Sequence, residues 1–299
     1  MTQQQTATRQ TTPAPARKRK RGLLPFSGWH LLLMPTALLF VLPLAWMILT
    51  SFMPDSDINH FPPKFWPSHF SVAGYQGLFS AKENAGGGSG ILTWLRNTTI
   101  VASIAVFSHL VLCSLAGYGF ARLRFRGRNV GFFAIVATIM VPIQLLMIPT
   151  YIMFARLGLI NTLAAAFIPW LTSAFGIFMM RQFFLALPVE LEDSARLDGC
   201  NRMQVLLKIV LPLAKPALAT LAIFTLLGSW NDLIWPLIAI NDEKWYTLQL
   251  GLANFQGTRR TQWQLLMAGN VVATLPLLVG FLAAQKQFVA TMTFTGLKG

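Results

Sequence analysis

The chain contains, at residues 98–119, the stretch TTIVASIAVFSHLVLCSLAGYG, which has no Asp, Glu, Lys or Arg in 22 residues. An α-helix rises about 1.5 Å per residue, so a run of this length can cross the roughly 30 Å of hydrocarbon in a bilayer. Lipid offers no hydrogen-bond partners, and a helix pairs its backbone polar groups internally. The stretch also lacks the alternation of apolar and polar residues that a barrel strand shows. It therefore predicts a transmembrane helix.

Five further apolar runs of 20 to 25 residues extend this prediction to an all-α polytopic membrane protein with six transmembrane helices. The composition agrees, because 54% of the 299 residues are hydrophobic and only 11% are charged, against about a quarter charged in soluble domains. This balance excludes an ordinary soluble enzyme. The six predicted helices lie at 31–52, 98–119, 130–154, 163–184, 217–240 and 265–284.

The positive charge is distributed unevenly around these runs. Seventeen Lys and Arg residues fall in the N-terminal tail, the loops after the second and fourth runs, and the C-terminal part, against seven in the alternate segments. The positive-inside rule then places both termini in the cytoplasm. We divide the chain into a basic cytoplasmic tail, 1–29, and a transmembrane domain, 30–299. The tail is interpreted as an orientation signal at anionic lipid rather than a nucleic-acid arm, so no nucleic-acid partner is expected.

The longest predicted outer segment, 53–97, carries several Pro residues and then the Gly-rich sequence AGGGSG at 85–90. Such sequences are typical of turns and flexible linkers. We expect an external surface there rather than a further domain.

Residues that carry catalytic chemistry are sparse. The sequence has no phosphate-binding loop of the form GxxxxGK[ST] and no HExxH, and its two cysteines and four histidines show no ligand spacing. We therefore expect neither catalysis, nor a metal site, nor a cofactor. His109, inside the second run, is interpreted as a histidine at a helix interface rather than a proton relay.

The loop at 187–215, LPVELEDSARLDGCNRMQVLLKIVLPLAK, differs from the others because it mixes acids with bases. Acids near its start favour the N-terminal end of a short helix, and Gly199 suits a left-handed stop. Asn201 and Gln204 have the spacing of a capping box, which restarts a second helix. These signals predict a helix–turn–helix at the membrane surface, either as an amphipathic connector or as a docking surface for a partner.

Two stretches of this loop resemble a motif of a known protein family. Residues 192–199, EDSARLDG, followed by IVLP at 209–212, resemble the EAA loop of ABC-importer permeases. Asp193 and Ser194 stand where that motif has Glu and Ala. Further matches to the carbohydrate-importer branch, similar to the maltose permease MalG, lie at 117–123, 229–232, 235–237 and 247–299.

The resemblance implies a permease subunit of a binding-protein-dependent importer that translocates a sugar or related carbohydrate across a prokaryotic cytoplasmic membrane. Its implied partners are a second, MalF-like permease subunit, two cytoplasmic ABC ATPase subunits and an extracytoplasmic solute-binding protein. It also implies that the loop sits in a cleft of the ATPase. The residues expected to couple the loop to the ATPase are Glu192, Asp193, Ser194, Ala195, Asp198 and Gly199.

Polar residues inside the apolar runs suggest a translocation path. A charge at mid-bilayer is costly, so Asp232 should face a bundle interior, a polar cavity or the outer interface. With Trp230 and Asn231 it either lines a solute path or forms a hydrogen-bonded lock between helices, and both interpretations stay open. Gln144 is a weaker candidate for the path. The alternatives to the importer are an ion-coupled secondary transporter that uses Asp232 or His109, and a membrane scaffold or receptor.

Overall fold

The computed structural model describes residues 29–62, 64–84, 90–257 and 261–296. Most of the predicted basic tail and of the predicted linker at 85–90 lies outside these ranges. Within them the regular elements are helices, which confirms the all-α class.

Fifteen α-helices, α1 to α15, occur in the described part of the chain. In order they are His30–Ser51, Asp55–Ile58, Ala73–Asn84, Ile91–Arg122, Arg128–Thr138, Ile143–Arg156, Leu163–Phe167, Ala174–Ala186, Glu190–Leu197, Arg202–Val205, Leu211–Leu213, Lys215–Trp230, Ile234–Ala239, Leu248–Ala253 and Trp263–Gly296. Short 3₁₀ helices at Ile168–Trp170 and Glu243–Trp245, and a π-helical turn at Leu206–Val210, complete the set.

Four helical segments in the described residues are long and apolar enough to cross a membrane: α1, α4, Leu163–Ala186 and Trp263–Leu282. Two more candidates are bent pairs. Helices α5 and α6 meet at 99°, and Arg202–Leu213 meets α12 at 79°. The fold therefore has four to six spans, depending on whether each bent pair crosses as one.

The predicted helix at 130–154 is interrupted. Helix α5 ends at Thr138, and α6 begins at Ile143 with Pro142 as its N-cap. Proline has no N–H to donate and disfavours helical backbone in the residue before it, which explains the break. Pro149 lies inside α6 without ending it.

Other predicted boundaries also shift. Helix α4 begins at Ile91, seven residues before the expected start, and α15 extends beyond both expected ends. The predicted run at 217–240 is divided, because α12 ends at Trp230 and α13 begins only at Ile234. The intervening backbone is irregular and contains two of the predicted path residues.

The predicted outer segment, 53–97, is more structured than its turn signals indicate. Helix α3 packs closely on α15, since a Cβ on Gly74 would lie 2.8 Å from the backbone oxygen of Gln264. Before α3, buried Asp57 accepts hydrogen bonds from Lys64 Nζ at 2.6 Å and from the backbone N and Oγ of Ser68 at 2.7 and 2.6 Å. These charge-assisted bonds hold the Pro-rich turns together.

The chain divides into two compact units, 1–45 and 46–299. The described part of the first is an apolar, exposed helical segment. In the second, three apolar clusters form the core, and each includes residues of α4: Cys113 in the first, Trp94 in the second and Val101 in the third. Helix α4 is thus the central element of this unit.

Candidate functional site

The loop between α8 and α12 folds through two local signals. Gly199 follows α9 with φ +87°, and the N–H groups of Gly199 and Cys200 donate to the carbonyls of Arg196 and Ala195 in a Schellman pattern. Asn201 Oδ1 then accepts from the N–H of Gln204 at 2.9 Å, while Gln204 Oε1 accepts from the N–H of Asn201 at 2.8 Å. The left-handed glycine and the capping box are both confirmed.

Helix α9 has an inward and an outward face. Glu192 and Ala195 are only 2% and 5% exposed, whereas Leu197 is 90% exposed. The face that points away from the chain consists mainly of Leu191, Asp193, Ser194, Leu197 and Asp198. The six predicted coupling residues are thus divided: four are exposed, and Glu192 and Ala195 are enclosed by the chain itself.

Glu192 is buried against the C-terminal end of α4. Its Oε1 accepts from Arg122 Nε at 2.6 Å, and its Oε2 accepts from Tyr118 Oη at 2.9 Å. Arg122 also donates from Nη2 to the carbonyl of Leu187 at 2.7 Å. Neither partner of Glu192 was predicted from the sequence, although both lie at 117–123, because they are 70 and 74 residues away along the chain.

The surrounding helices pack tightly at this point. A Cβ on Gly117 would lie 2.8 Å from Met180 Cβ and 3.0 Å from the backbone N of Arg181, so α4 and α8 cross closely there. Phe184 of α8 packs edge-on against Tyr118 with ring centroids 6.0 Å apart. The carboxylate of Glu192 therefore joins α9 to an already rigid crossing.

Asp232 lies in the irregular backbone between α12 and α13. Its Oδ2 accepts from Trp170 Nε1 at 2.9 Å. Trp170 ends the 3₁₀ helix before α8, and its ring fits against Gly228, where a Cβ would lie 2.8 Å from it. The two residues thus link two interruptions in separate candidate spans.

The other predicted path residues differ in their surroundings. Trp230 is 4% exposed and donates from Nε1 to the carbonyl of Ala273 at 3.1 Å, so it packs α12 against α15. Exposed Asn231 accepts from Gln249 Nε2 at 3.2 Å. Gln144 lies exposed on α6, and within the described residues it shares no hydrogen bond with the other three.

His109 is buried in α4, with Nδ1 3.0 Å from the carbonyl oxygen of Ala105 one turn earlier. This contact within α4 fits a structural histidine. No group of three or more His, Cys, Asp or Glu residues suited to a metal ion occurs in the part of the chain that the structure describes.

Two solved structures share the fold. One, of a bacterial ABC transporter involved in the import of the acidic polysaccharide alginate, aligns with a TM-score of 0.72 at 24% identity over 88% of this chain and 99% of that one. The other, of a bacterial alginate ABC transporter in complex with an alginate pentasaccharide-bound periplasmic protein, aligns with a TM-score of 0.59 at 15% identity over 86% and 92% of the two chains.

Curated relatives match nearly end to end. The arabinooligosaccharides transport system permease protein AraQ of Halalkalibacterium halodurans is 33% identical, and the alignment covers 94% of this chain and 100% of the AraQ chain. The lactose transport system permease protein LacG of Rhizobium radiobacter is 30% identical, and the sn-glycerol-3-phosphate transport system permease protein UgpE of Salmonella typhi is 33% identical. Each of these two alignments covers 91% of this chain and 96% of the relative's chain.

The family described as "Binding-protein-dependent transport system inner membrane component" matches residues 109–293, well over half of the chain. The match begins within α4, includes the 187–215 loop and ends within α15. Like these relatives, the chain is a membrane transport component rather than an enzyme. It belongs to the family of binding-protein-dependent transport system inner membrane components.

Proposed function

We propose that this chain is the permease subunit of an ABC importer that carries a sugar or related carbohydrate across the cytoplasmic membrane. The family match over 109–293 carries the proposal. Relatives named for arabinooligosaccharides and lactose support a carbohydrate solute. ATP is hydrolysed on two partner ATPase subunits, and a second permease subunit and an external binding protein complete the complex.

The test is uptake by proteoliposomes that contain the complete complex. Radiolabelled arabinooligosaccharide, lactose and glycerol-3-phosphate are supplied in turn with the solute-binding protein of the same system. We expect uptake of a carbohydrate that requires enclosed ATP and the ATPase subunits and persists with an uncoupler. Uptake that stops with the uncoupler and ignores ATP would indicate ion-coupled transport instead.

We infer a topology of six spans with both termini in the cytoplasm, each bent pair counting as one span. Contacts at the two ends of α4 support it. Arg122, at the C-terminal end, bonds the 187–215 loop, which the charge count places inside. Asn97, near the other end, donates from Nδ2 to the carbonyls of Lys244 and Tyr246 at 2.8 and 3.0 Å. The two loops thus lie at opposite ends of one spanning helix.

We infer further that the outward face of α9 binds the ATPase. This short helix exposes Leu191 and Leu197 while it buries Glu192, the reverse of the usual arrangement in a soluble surface helix. Asp193 and Asp198 flank the leucines; Asp193 pairs with Arg196 at 3.2 Å, and Asp198 adds a further negative charge. An apolar surface with an acidic rim suits a cleft with an apolar floor and basic edges. Gly199 sets the turn that presents this face.

Asp232 is the strongest candidate for the solute path. Trp170 satisfies one carboxylate oxygen, and neighbouring Asn231 is exposed with its amide near Gln249. Together these groups form a polar site in otherwise apolar candidate spans, where hydroxyl groups of a sugar could be received. Trp230 does not contact the solute in this proposal; its hydrogen bond to Ala273 fixes the end of α12 next to the site.

A further inference from the structure

The carboxylate of Glu192 receives one hydrogen bond from α4 on each oxygen. The donors, Tyr118 and Arg122, are four residues apart and therefore lie one above the other on the same face of α4. Both members of the ion pair are buried, since the side chains of Arg122 and Glu192 are 8% and 2% exposed. Two successive turns of α4 thus hold a single carboxylate of α9.

Arg122 holds the loop at a second point. Its Nη2 donates to the carbonyl of Leu187, the residue at which the loop leaves α8. Arg196, within α9 itself, also approaches Glu192, but at 3.7 Å and from a side chain that is 37% exposed. The strong ionic partner of Glu192 therefore belongs to the spanning helix and not to the loop.

Apolar packing does little to attach α9. Its buried apolar residue is Ala195, a small side chain, while its leucines face outward. Val205, Leu206 and Val210, by contrast, bury the later part of the loop in the first core cluster. The hydrogen bonds and the ion pair of Glu192 therefore join α9 directly to α4, whereas α9 otherwise packs mainly on the later part of the loop.

We propose that Arg122 and Tyr118 are positioning residues that fasten α9 to the cytoplasmic end of α4, so that ATPase movement is passed to the spanning helices through Glu192. The proposal rests on the function and docking face proposed above. Buried charges held by hydrogen bonds are costly to separate, so the joint resists slippage when α9 is displaced. Because α4 contributes to all three core clusters, displacement of its end reaches the whole unit.

The experiment compares variants of the complete complex in proteoliposomes. The double variant Arg122→Met with Glu192→Leu removes the ion pair without leaving a buried charge, a change that proteins often tolerate. Arg124→Gln is the matched control, because it removes an exposed cation just beyond the same end of α4 but not the link to Glu192. Tyr118→Phe removes one hydroxyl and serves as a milder test. Assembled complex, ATP hydrolysis and solute uptake are each measured.

We expect the double variant to assemble and hydrolyse ATP while its uptake per ATP falls about tenfold, a usual size for a lost coupling between sites. Arg124→Gln should keep the uptake per ATP of the unchanged complex, and Tyr118→Phe should give a value between those of Arg124→Gln and the double variant. An unchanged ratio in the double variant would overturn the inference, as would complete failure to assemble, since the pair would then serve folding alone. If the unchanged complex showed no ATP-dependent uptake, the proposed function would fail instead.

Discussion

Trp170 Nε1 and Asp232 Oδ2 lie 2.9 Å apart and hydrogen-bond across two helix interruptions, one before α8 and the other after α12. Irregular backbone at membrane depth is tolerated where protein or a polar cavity surrounds it. The indole satisfies one carboxylate oxygen and leaves the carboxylate half-buried. The hydrogen bond is the contact that a lock between helices requires, and the half-buried carboxylate is the group that the proposed solute path requires.

Substitution of Asp232 separates these roles. Asp232→Asn keeps an oxygen that can accept from Trp170, so a lock would survive, whereas a path that needs the charge would not. We expect Asp232→Asn to assemble normally and to lose most uptake, and Asp232→Leu to lose uptake and some assembly. Uptake and yield of complex are measured on the same preparations. Normal uptake by Asp232→Asn would exclude a role for its charge in the path.

Gly199 is predicted to be required for its backbone conformation alone. Apart from its chain neighbours, no described residue comes within 4 Å of a Cβ built on Gly199, yet its φ is +87°. An L-residue pays about 1 kcal/mol or somewhat more in this region, enough to weaken retention of the ATPase about fivefold in Gly199→Ala. Gly119→Ala is the control, because its Cβ is equally free of contacts but its backbone is helical. Equal co-purification of the ATPase with both variants would contradict this role.

Asp57 is predicted to protect the outer segment from proteolysis. Hydrogen bonds from Lys64 and Ser68 hold its pKa well below the usual range. The native carboxylate thus stays ionised as pH falls through the ordinary range of Asp, while its contribution to the free energy of unfolding declines from that range downward, because the unfolded chain takes up the proton first. Asp57→Asn should free Lys64 and speed tryptic cleavage after it at neutral pH. Glu243→Gln is the control at another outer loop, and equal cleavage rates in the two variants would refute the protection.

The topology is tested by labelling single cysteines in intact cells. Cys200, partly exposed in the loop, is first replaced by Ser, and Cys113 is buried. An impermeant maleimide should then label His69→Cys from outside, and Arg126→Cys only after the membrane is opened. The reverse pattern at either site would invert the assignment of every loop.

The features that could be predicted from the sequence are those that depend on residues close together along the chain. Gly199 and the Asn201–Gln204 pair act within a few residues, so their geometry follows from local chemistry. The break before α6 also had a visible cause in Pro142, but the apolar run around it favoured one uninterrupted helix. Hydropathy alone does not distinguish a straight span from a bent pair.

The inward role of Glu192 could not be predicted in the same way. Its helix places leucines outward and an acid inward, so the usual rule that apolar residues are buried gives the wrong face. The hydrogen bonds that make burial of that carboxylate favourable come from Tyr118 and Arg122, some 70 residues earlier. Helix α3 was missed for a related reason, because its packing partners lie on α15, far away along the chain.

The most direct test of the central claim is stimulation of ATP hydrolysis by the solute-loaded binding protein, measured on the reconstituted complex with Asp193→Lys in this chain. Asp193 lies exposed on the outward face of α9, so reversal of its charge should oppose docking while insertion continues. Glu243→Lys makes the same change in charge in the loop before α14, at the other end of α4. We predict that stimulation falls sharply in Asp193→Lys and is retained in Glu243→Lys. Full stimulation in Asp193→Lys would contradict the assignment of α9 as the surface through which ATP hydrolysis drives this permease.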